Sequence, residues 1–264
     1  MKKLRIVKIG GQVIDQKQAL QRFLQDFALL PDKKILVHGG GKKATALLER
    51  LAIRPRMVDG RRITDKETLE IVQMVYAGLI NKDIIAALQS CKCRALGLSG
   101  ADLDLIRAVK REAGTIDYGF VGDVCAIDSH MIGQLLNLGI TAVFCSLSHD
   151  GDGQILNTNA DTIATELAMA LATFYDVELI FCFEKNGVLR DMQDACSVIP
   201  TLTMTAYQQL RKEKIISSGM IPKIDNAFRA LNKGVKHIYI THFNQIAAFT
   251  GEKGFAGTKI CFES

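Results

Sequence analysis

The fold is decided by Leu4-Arg5-Ile6-Val7-Lys8-Ile9-Gly10-Gly11 and by Lys34-Ile35-Leu36-Val37-His38-Gly39-Gly40-Gly41. Each is a short, mostly apolar run that ends in adjacent glycines and leads into a helical period. Strands that are buried on both faces have this composition, whereas a half-exposed strand alternates apolar and polar residues. The two stretches therefore predict strand–turn–helix units of a parallel sheet that is covered on both faces.

The same alternation of strands and helices continues along the chain. Strands are predicted at Leu4–Ile9, Lys34–His38, Arg94–Leu98, Ala142–Ser146, Glu178–Phe183 and His237–Thr241. Helices are predicted at Lys17–Leu29, Lys42–Leu51, Asp65–Ser90, His130–Leu138, Ala160–Leu171 and Ile224–Asn232. With right-handed crossovers this order gives an α/β fold, a three-layer α/β/α sandwich around a mainly parallel open sheet in two lobes. The glycine-containing stretches Met57–Thr64 and Thr115–Ile127 interrupt the alternation and are predicted to be hairpins at a sheet edge.

Composition excludes several classes of protein. With 264 residues, 48% of them hydrophobic and only 4 Pro, the chain forms one large domain or two intimate lobes and is not disordered. The net charge of +5 is spread along the chain, which disfavours nucleic-acid binding but allows small anionic ligands. The 7 Cys have no paired spacing and indicate reduced thiols in the cytoplasm. Apolar runs such as Val177–Phe183 have the length of a strand, so no membrane partner is expected.

The predicted helix Asp65–Ser90 has an unusually broad apolar surface. Either Thr64 or Asp65 is its N-cap, and its apolar residues cover more than one narrow stripe. Burial on two sides, by the protein's own core and by a second subunit, explains this breadth. A deeply buried helix of a monomer explains it equally well.

Two glycine loops are candidates for binding phosphate or another anion. Lys8 precedes Gly10-Gly11 at the end of the first strand, where backbone N–H groups converge on an anion, although an ordinary strand–turn–helix junction also accounts for the pair. The second loop is not a Walker motif, because Leu36 and Lys43 stand where that motif needs Gly and Ser or Thr. It does satisfy Gly-x-Gly-x-x-Ala, which leaves an NAD-dependent oxidoreductase as an alternative. His38 itself favours a capping or packing role over catalysis.

Three further clusters carry polar groups. Arg62 follows a short loop and suits bidentate binding of a carboxylate, or else it belongs to a solvated basic turn. Asn157, Asn159 and Asp161 precede a helix, where one of them would serve as a cap and three exceed that need. Lys223 stands near the start of the last predicted helix, where a cation opposes the helix dipole and therefore suggests an anionic partner. No metal site is predicted from the spacing of Cys and His.

Taken together, these motifs resemble the amino-acid kinase family over essentially the whole chain. The motifs, in order, are Lys8–Gly11, His38–Gly41, Gly60–Thr64, Asn81-Lys82, Gly97–Gly100, Gly119–Gly122, Asn157–Asp161 and Gly219–Lys223. The match is closest to the branch that uses ATP to phosphorylate the side-chain carboxylate of N-acetyl-L-glutamate, the second step of arginine biosynthesis. The resemblance implies the amino-acid kinase fold, an N-acylglutamate-binding and dimerisation lobe at residues 1–175 and an ATP-binding lobe at 176–264.

The resemblance also implies residue roles. Catalysis falls to Lys8 and Lys223, which would contact the transferred phosphoryl group, and to Asp161, which would hold both lysines in place. Substrate binding falls to Gly40, Gly41, Arg62, Asn157 and Asn159. Phosphoryl and nucleotide binding falls to Gly10, Gly11, Gly187, Gly219 and Met220. The implied cofactors are ATP and the Mg²⁺ that it carries, and the implied assembly is a cytoplasmic homodimer.

The chain departs from the family pattern in three places. Arg61 stands where an apolar residue is usual, which suggests an additional carboxylate on the acyl group, as in N-succinyl-L-glutamate. Glu184-Lys185-Asn186-Gly187 replaces a turn that usually contains Asp near the nucleotide. Arginine-inhibited hexameric relatives have an extra N-terminal helix ahead of the first strand, so the unregulated dimeric kind is expected here. A sibling kinase acting on aspartate, glutamate, carbamate or UMP is a further alternative.

Overall fold

The computed structural model describes residues 1–58, 61–216, 219–250 and 255–263. The chain divides into two units, one formed by Met1–Ile35 with Ala164–Ser264 and the other by Leu36–Ile163. This division differs from the lobes predicted at residues 1–175 and 176–264, because the first strand pairs with a strand from the second half of the chain. Asp59 and Gly60, which belong to the predicted hairpin Met57–Thr64, lie outside the described residues.

The strands, in chain order, are β1 (Lys2–Ile9), β2 (Lys33–His38), β3 (Met57–Val58), β4 (Arg61–Arg62), β5 (Ala95–Leu98), β6 (Ile106–Lys110), β7 (Gly122–Ile127), β8 (Thr141–Cys145), β9 (Leu147–His149), β10 (Ile155–Asn157), β11 (Tyr175–Phe183), β12 (Thr201–Leu202), β13 (His237–His242) and β14 (Thr258–Ile260). The α-helices are α1 (Gly11–Asp15), α2 (Lys17–Ala28), α3 (Gly41–Arg50), α4 (Lys66–Gln73), α5 (Asn81–Ser90), α6 (Ser129–Asn137), α7 (Ala160–Leu171), α8 (Met204–Lys212) and α9 (Ile221–Asn232). A π-helical segment, Met74–Ile80, joins α4 to α5.

The first unit is built on a sheet with the strand order β12-β14-β13-β11-β1. β1 pairs with β11 and β11 with β13, both in parallel, whereas β13 and β14 are antiparallel. The centre of this sheet is mostly apolar, as the sequence predicts, although Arg5, Lys8 and Glu178 are buried there as well. Its register places Arg5 beside Glu178, where Nε donates to Oε2 at 2.8 Å, and Lys8 beside Phe181 further along the strands.

The second unit contains the parallel pair β5 and β8 and a separate sheet of order β10-β9-β6-β7. The predicted hairpin at Met57–Thr64 is confirmed, since β3 and β4 are antiparallel with Met57 opposite Arg62. The hairpin predicted within Thr115–Ile127 is wrong, because β7 pairs with β6, which precedes that stretch. The polar, alternating sequence of β6 carries too weak a signal to be read as a strand alone.

The predicted helix Asp65–Ser90 is present as α4, the π-helical segment and α5. Asp65 is its N-cap, with Oδ1 accepting from the Thr68 N–H at 2.9 Å. By length and composition alone, Lys66–Ser90 could cross a membrane, but 44% of its most apolar window is buried inside the protein. Buried helices of soluble proteins satisfy the same criterion, so this feature is weak support for a membrane span. The chain as a whole is α/β with a mainly parallel sheet and helices on both sides, which confirms the predicted fold class.

Candidate active site

The predicted residues divide between the two units, and the catalytic candidate Asp161 lies in the second. The substrate-binding candidates Gly40, Gly41, Arg62, Asn157 and Asn159 all lie in the second unit. The phosphoryl-binding and nucleotide-binding candidates Gly10, Gly11, Gly187, Gly219 and Met220 all lie in the first, as do Lys8 and Lys223. The first strand and its glycine loop therefore belong with the nucleotide-binding candidates, not with the substrate-binding ones as the predicted lobes had it.

Lys8 is buried near the carboxyl end of β1, with 7% of its surface exposed. Its charge lies near Cys182, whose thiol pKa is raised by burial and lowered, to a smaller extent, by Lys8. The thiol is therefore neutral and does not act as a nucleophile. The Gly10 N–H donates to the Cys182 carbonyl oxygen at 3.1 Å, which fastens the glycine loop to β11. A Cβ at Gly11 would meet no atom within 4 Å, so the backbone there is open to a ligand.

Lys223 lies in the first turn of α9, which begins at Ile221, three residues before the predicted start. Met220 is the N-cap and provides no side-chain cap, and Pro222 occupies the first turn. A Cβ at Gly219 would meet no atom within 4 Å, which leaves the approach to this helix end open. An uncapped helix start with positive dipole and a half-buried lysine suits an anionic ligand.

Gly187 has a packing reason to be glycine. A Cβ there would lie 2.8 Å from the Thr258 Oγ1 and 3.0 Å from a methyl group of Val198. The Thr258 hydroxyl accepts from the Val188 N–H and donates to the Ile199 carbonyl, so it cannot easily move aside. The predicted contact between Gly187 and the nucleotide stays a prediction.

In the second unit, the glycine loop ends at the start of α3. Gly40 is the N-cap of this ten-residue helix and has no side chain with which to cap it. A Cβ at Gly40 would lie 2.4 Å from Ile80 Cδ1 and 2.8 Å from Tyr76 Cδ1. Glycine is therefore required by close packing, and the same absence of side chains leaves the first N–H groups of α3 for an anion.

His38 fixes the orientation of the glycine loop Gly39–Gly41. Asn81 Nδ2 donates to His38 Nε2 at 3.1 Å and to the Val143 carbonyl at 3.0 Å, so His38 Nδ1 carries the proton and donates to the Gly39 carbonyl at 2.8 Å. Burial lowers the pKa of His38 to about 4, which keeps the ring neutral. Since C=O and N–H of a trans peptide point in opposite directions, the Gly40 N–H is turned away from the ring. The predicted packing role of His38 is confirmed and acquires a purpose, which is orienting the loop.

Arg62 is the most unusual side chain of this unit. It is 7% exposed, and its Nη2 donates to the Gly41 carbonyl at 2.9 Å and to the Thr45 hydroxyl at 2.6 Å. Its other terminal nitrogen, Nη1, is buried and has no hydrogen-bond partner among the residues that the structure describes. A buried guanidinium donor without an acceptor is costly, and an anionic ligand would satisfy it.

Thr64 links Arg62 to the predicted Asn157. Its hydroxyl accepts from Asn157 Nδ2 at 3.0 Å and donates to the Arg62 carbonyl at 3.3 Å. Gly119 approaches so closely that a Cβ would lie 2.3 Å from the Thr64 carbonyl oxygen. Gly119, the first glycine of the Gly-Phe-Val-Gly motif, is thus explained by packing against the Thr64 backbone, and Asn157 keeps its side-chain oxygen for a ligand.

Asn159 and Asp161 lie at the start of α7. Asn159 Oδ1 accepts from the N–H groups of Asp161 at 2.8 Å and Thr162 at 3.3 Å, so this residue caps the helix. Because the side-chain oxygen is used in this cap, the predicted contact of Asn159 with substrate falls to its amide nitrogen and stays a prediction. Asp161 is 6% exposed, and a carboxylate that is buried to this extent needs a hydrogen-bonding or charged partner.

The sequence did not single out Tyr76 or Asn81 as individual functional candidates. Tyr76 lies in the π-helical segment against Gly40, and Asn81 positions His38. Gly97 offers a signal for Asn81, because a Cβ at Gly97 would lie 1.9 Å from Asn81 Oδ1. For Tyr76 the sequence offered only the broad apolar surface of the predicted helix, which gave no indication of the residue's neighbours.

Two other features lie apart from these residues. A cavity of about 390 Å³ between α8 and α9 is lined by Tyr207, Arg211, Asp225 and Arg229, among others, and by none of the predicted site residues. Among residues 1–58, 61–216, 219–250 and 255–263, no group of three His, Cys, Asp or Glu could hold a metal ion.

A model of the amino acid kinase family matches residues 3–242 of the chain. The chain belongs to this family. Acetylglutamate kinase of Cytophaga hutchinsonii is 51% identical over 98% of this amino acid kinase and 99% of the relative. Acetylglutamate kinase of Bacteroides thetaiotaomicron is 50% identical over 90% and 93%. Among solved structures, smu.665 from Streptococcus mutans UA159 is 26% identical, covers 98% of both chains and has a TM-score of 0.78.

Proposed function

We propose that this amino acid kinase transfers the γ-phosphoryl group of ATP to the side-chain carboxylate of N-acetyl-L-glutamate, the second step of arginine biosynthesis. Relatives at about half identity over nearly the whole chain have this substrate in their names. The alternatives of an NAD-dependent oxidoreductase and of a non-acylglutamate sibling are disfavoured by the same comparisons.

One observation in the structure supports the substrate class most directly, the buried Nη1 of Arg62 beside the open start of α3. A guanidinium and a helix N-terminus that face one space form a receptor for a carboxylate. Thr45 and the Gly41 carbonyl fix the guanidinium from its other side, so little rotational freedom is lost on binding.

The carboxylate bound by Arg62 is proposed to be the one that does not react. A guanidinium that hydrogen-bonds a carboxylate withdraws electron density and makes it a poorer nucleophile. The α-carboxylate of N-acetyl-L-glutamate is therefore the suitable partner for Arg62. Asn157 and Asn159 are proposed to bind the same substrate through polar groups not used in the contacts described above.

The proposed reaction needs no general base. The side-chain carboxylate, with an ordinary pKa of about 4.3, is ionised at pH 7. Its oxygen forms a bond to the γ-phosphorus while the bond from phosphorus to the β–γ bridging oxygen breaks, and ADP leaves with that electron pair. No proton is transferred, which agrees with the neutral Cys182 and the neutral, buried His38.

The residues proposed to stabilise the transferred group are cations and backbone donors. Lys8 and Lys223 are proposed to neutralise charge on the phosphoryl oxygens, with N–H groups at Gly10, Gly11 and the start of α9 as further donors. The role that the resemblance gives Asp161, orientation of the lysines, stays a prediction. Mg²⁺ bound to ATP would neutralise phosphate charge, which is what the metal ion supplies in phosphoryl transfer.

We also propose a homodimer in the cytoplasm. Met74 and Leu79, on the helical stretch Lys66–Ser90, are 60% and 52% exposed, and Leu96 is 39% exposed on the terminal strand β5. Exposed apolar residues on one helix are typical of a subunit interface. Size-exclusion chromatography with light scattering should give twice the chain mass of 29.0 kDa. Leu79→Lys should weaken the dimer and shift the protein towards the monomer mass of 29.0 kDa.

The reaction is tested by trapping the acyl phosphate with hydroxylamine over a panel of carboxylates that includes N-acetyl-L-glutamate, aspartate, glutamate and carbamate. Lys223→Ala should lower kcat about 10²–10³-fold, the usual effect of losing one electrostatic stabiliser. Lys233→Ala, at the exposed end of the same helix, is the matched control and should retain activity. Near-normal turnover by Lys223→Ala or Lys8→Ala would refute the proposed mechanism.

N-succinyl-L-glutamate is retained as a second candidate substrate because of Arg61. Arg61 is exposed on β4. The pKa of Asp123 is lowered mainly by its hydrogen bond with Arg111 and, to a smaller extent, by the charge of Arg61. A second carboxylate on the acyl group would find a cation here. The ratio of kcat/KM for the succinyl and acetyl substrates decides the matter, and a clear acetyl preference excludes the idea.

A further inference from the structure

We propose that the hydroxyl group of Tyr76 is a further ligand of the substrate α-carboxylate, acting together with Arg62 at the start of α3. This inference rests on the proposed function, since it assigns one more residue to the same substrate. It concerns a side chain that the family resemblance does not assign to the site.

The π-helical segment Met74–Ile80 determines where Tyr76 lies. A π turn contains more residues than an α turn, so it rotates the following side chains relative to those of α4. In this segment both Tyr76 and Ile80 face Gly40. A Cβ placed on Gly40 would lie 2.8 Å from Tyr76 Cδ1 and 2.4 Å from Ile80 Cδ1. Four residues apart, they form one wall against the glycine loop.

The ring and the hydroxyl of Tyr76 have different neighbours. The ring edge lies against Gly40, whereas the hydroxyl oxygen lies 3.9 Å from a Cβ placed on Gly41, the first residue of α3. Packing against Gly40 explains the ring but gives no reason for a polar group. The side chain as a whole is 5% exposed, so its hydroxyl lies at a mostly buried position beside the start of α3, where a polar group of a ligand is a suitable hydrogen-bond partner.

Arg62 also influences the Tyr76 hydroxyl. Burial raises the pKa of Tyr76, and the charge and hydrogen bonding of Arg62 oppose the rise. The phenol therefore keeps its proton at neutral pH, and any contact with the guanidinium would use the phenol oxygen as acceptor, because arginine only donates. The phenol O–H is then left to donate in turn. A carboxylate oxygen held by the buried Arg62 Nη1 and the α3 N–H groups lies within the same small region and is the natural acceptor.

The test separates the hydroxyl from the ring. Tyr76→Phe keeps the ring against Gly40, so its melting temperature should stay close to that of the wild type. Its KM for N-acetyl-L-glutamate should rise about 10-fold, the effect of losing one hydrogen bond to a charged group, with KM for ATP unchanged. Tyr207→Phe is the matched control, because Tyr207 is also buried and its hydroxyl donates to Asp225 at 2.7 Å in the other unit.

A substrate without the α-carboxylate makes the test specific. 4-Acetamidobutyrate keeps the reacting carboxylate but lacks the group that Tyr76 is proposed to bind. Tyr76→Phe should leave kcat/KM for this poor substrate unchanged. A hydroxyl that merely stabilises the loop would affect both substrates equally, and that result, or an unchanged KM for N-acetyl-L-glutamate, overturns the inference.

Arg62→Lys distinguishes failure of this inference from failure of the proposed site. A raised KM in Arg62→Lys with none in Tyr76→Phe leaves the site in place and removes only Tyr76. An unaffected KM in both removes the α-carboxylate site itself. If Tyr76→Phe does not fold, 3,5-difluorotyrosine at position 76 replaces it. Its lower phenol pKa should make substrate affinity fall as the pH rises, and a pH-independent affinity contradicts the inference.

Discussion

The starts of α3 and α7 both follow polar, glycine-containing or asparagine-containing motifs, yet they treat their N–H groups in opposite ways. At α7 the Asn159 side chain accepts from two backbone N–H groups. At α3 the N-cap is Gly40, which has no side chain, and the neighbouring cation Arg62 has a buried donor without a partner in the described chain. One helix start is satisfied by its own sequence and the other is left for a ligand.

The comparison teaches where sequence motifs of this kind indicate binding. α4, α6 and α8 resemble α7, since Asp65, Asp128 and Thr203 cap them. α1, α2, α3 and α9 start at residues without a capping side chain, and three of these four starts lie at glycines, with Gly10 before α1, Gly40 before α3 and Gly219 shortly before α9. A helix that gives up a cap worth about 1 kcal/mol needs another source of stabilisation, and a bound anion provides it.

The largest effect is expected from a methyl group at the open helix start. Gly40→Ala places Cβ 2.4 Å from Ile80 and 2.8 Å from the Tyr76 ring, so the loop or the π-helical segment must move. Overpacking of this kind costs about 1–3 kcal/mol, and displacement of the loop should lower kcat/KM for N-acetyl-L-glutamate by about 10²-fold or more. Chemical denaturation and steady-state kinetics measure the two effects.

Gly114→Ala is the control for this substitution, because a Cβ at Gly114 meets no atom within 4 Å. It should change neither stability nor kinetics noticeably. Full activity in Gly40→Ala would show that the close approach at Gly40 has no functional role.

The next effect concerns His38, which orients the open loop. Its pKa is about 4 in the folded protein and about 6.5 in the unfolded chain, so the unfolded chain takes up a proton first as the pH falls. The stability that neutral His38 provides is therefore complete above about pH 6.5 and is lost progressively down to about pH 4, where the loss approaches about 3 kcal/mol.

Free energies of unfolding measured from pH 7 to pH 4 test this expectation. His38→Gln should remove most of the slope between pH 6.5 and 4, whereas His130→Gln, at an exposed position on α6, should not. A wild-type slope that survives in His38→Gln would assign the pH dependence to other groups.

Much of this contrast was predictable from the sequence, and its decisive contacts were not. The apolar runs before Gly10 and Gly39 predicted the parallel strands, because burial on both faces leaves a direct mark on composition. The sequence predicted Thr64 or Asp65 as the N-cap of α4, and the structure shows that it is Asp65. The division into units at Ile35 and Ala164 was not predictable, because the pairing of β1 with β11 joins residues about 170 positions apart and no local pattern records such a pairing.

The site shows the same limit at the level of single side chains. Arg62 was predicted as a carboxylate clamp from its residue type and position, and its burial beside Gly41 agrees with that role. Tyr76 was predicted only as part of an apolar surface, since the π turn that brings it to Gly40 changes the winding without leaving a periodic signal. Close backbone contacts at glycines, such as that of Gly119 with Thr64, were likewise not predictable, because the sequence shows the glycine but not the residue that it approaches.

The smallest effect is expected at the capped helix start, where it divides two roles of one residue. Asn159→Ala removes the cap of α7 and should lower the free energy of unfolding by about 1 kcal/mol, whereas Asn159→Asp keeps an accepting oxygen and should retain most of that stability. The KM for N-acetyl-L-glutamate is the second measurement. An unchanged KM in both variants makes Asn159 a cap alone, because neither Ala nor Asp has the amide nitrogen that the predicted substrate contact needs. A KM raised in both shows that α7, although it caps itself, also presents a ligand-binding group. In that case the start of α7 would be both capped and ligand-binding, with the Asn159 oxygen serving the cap and the Asn159 nitrogen binding the substrate.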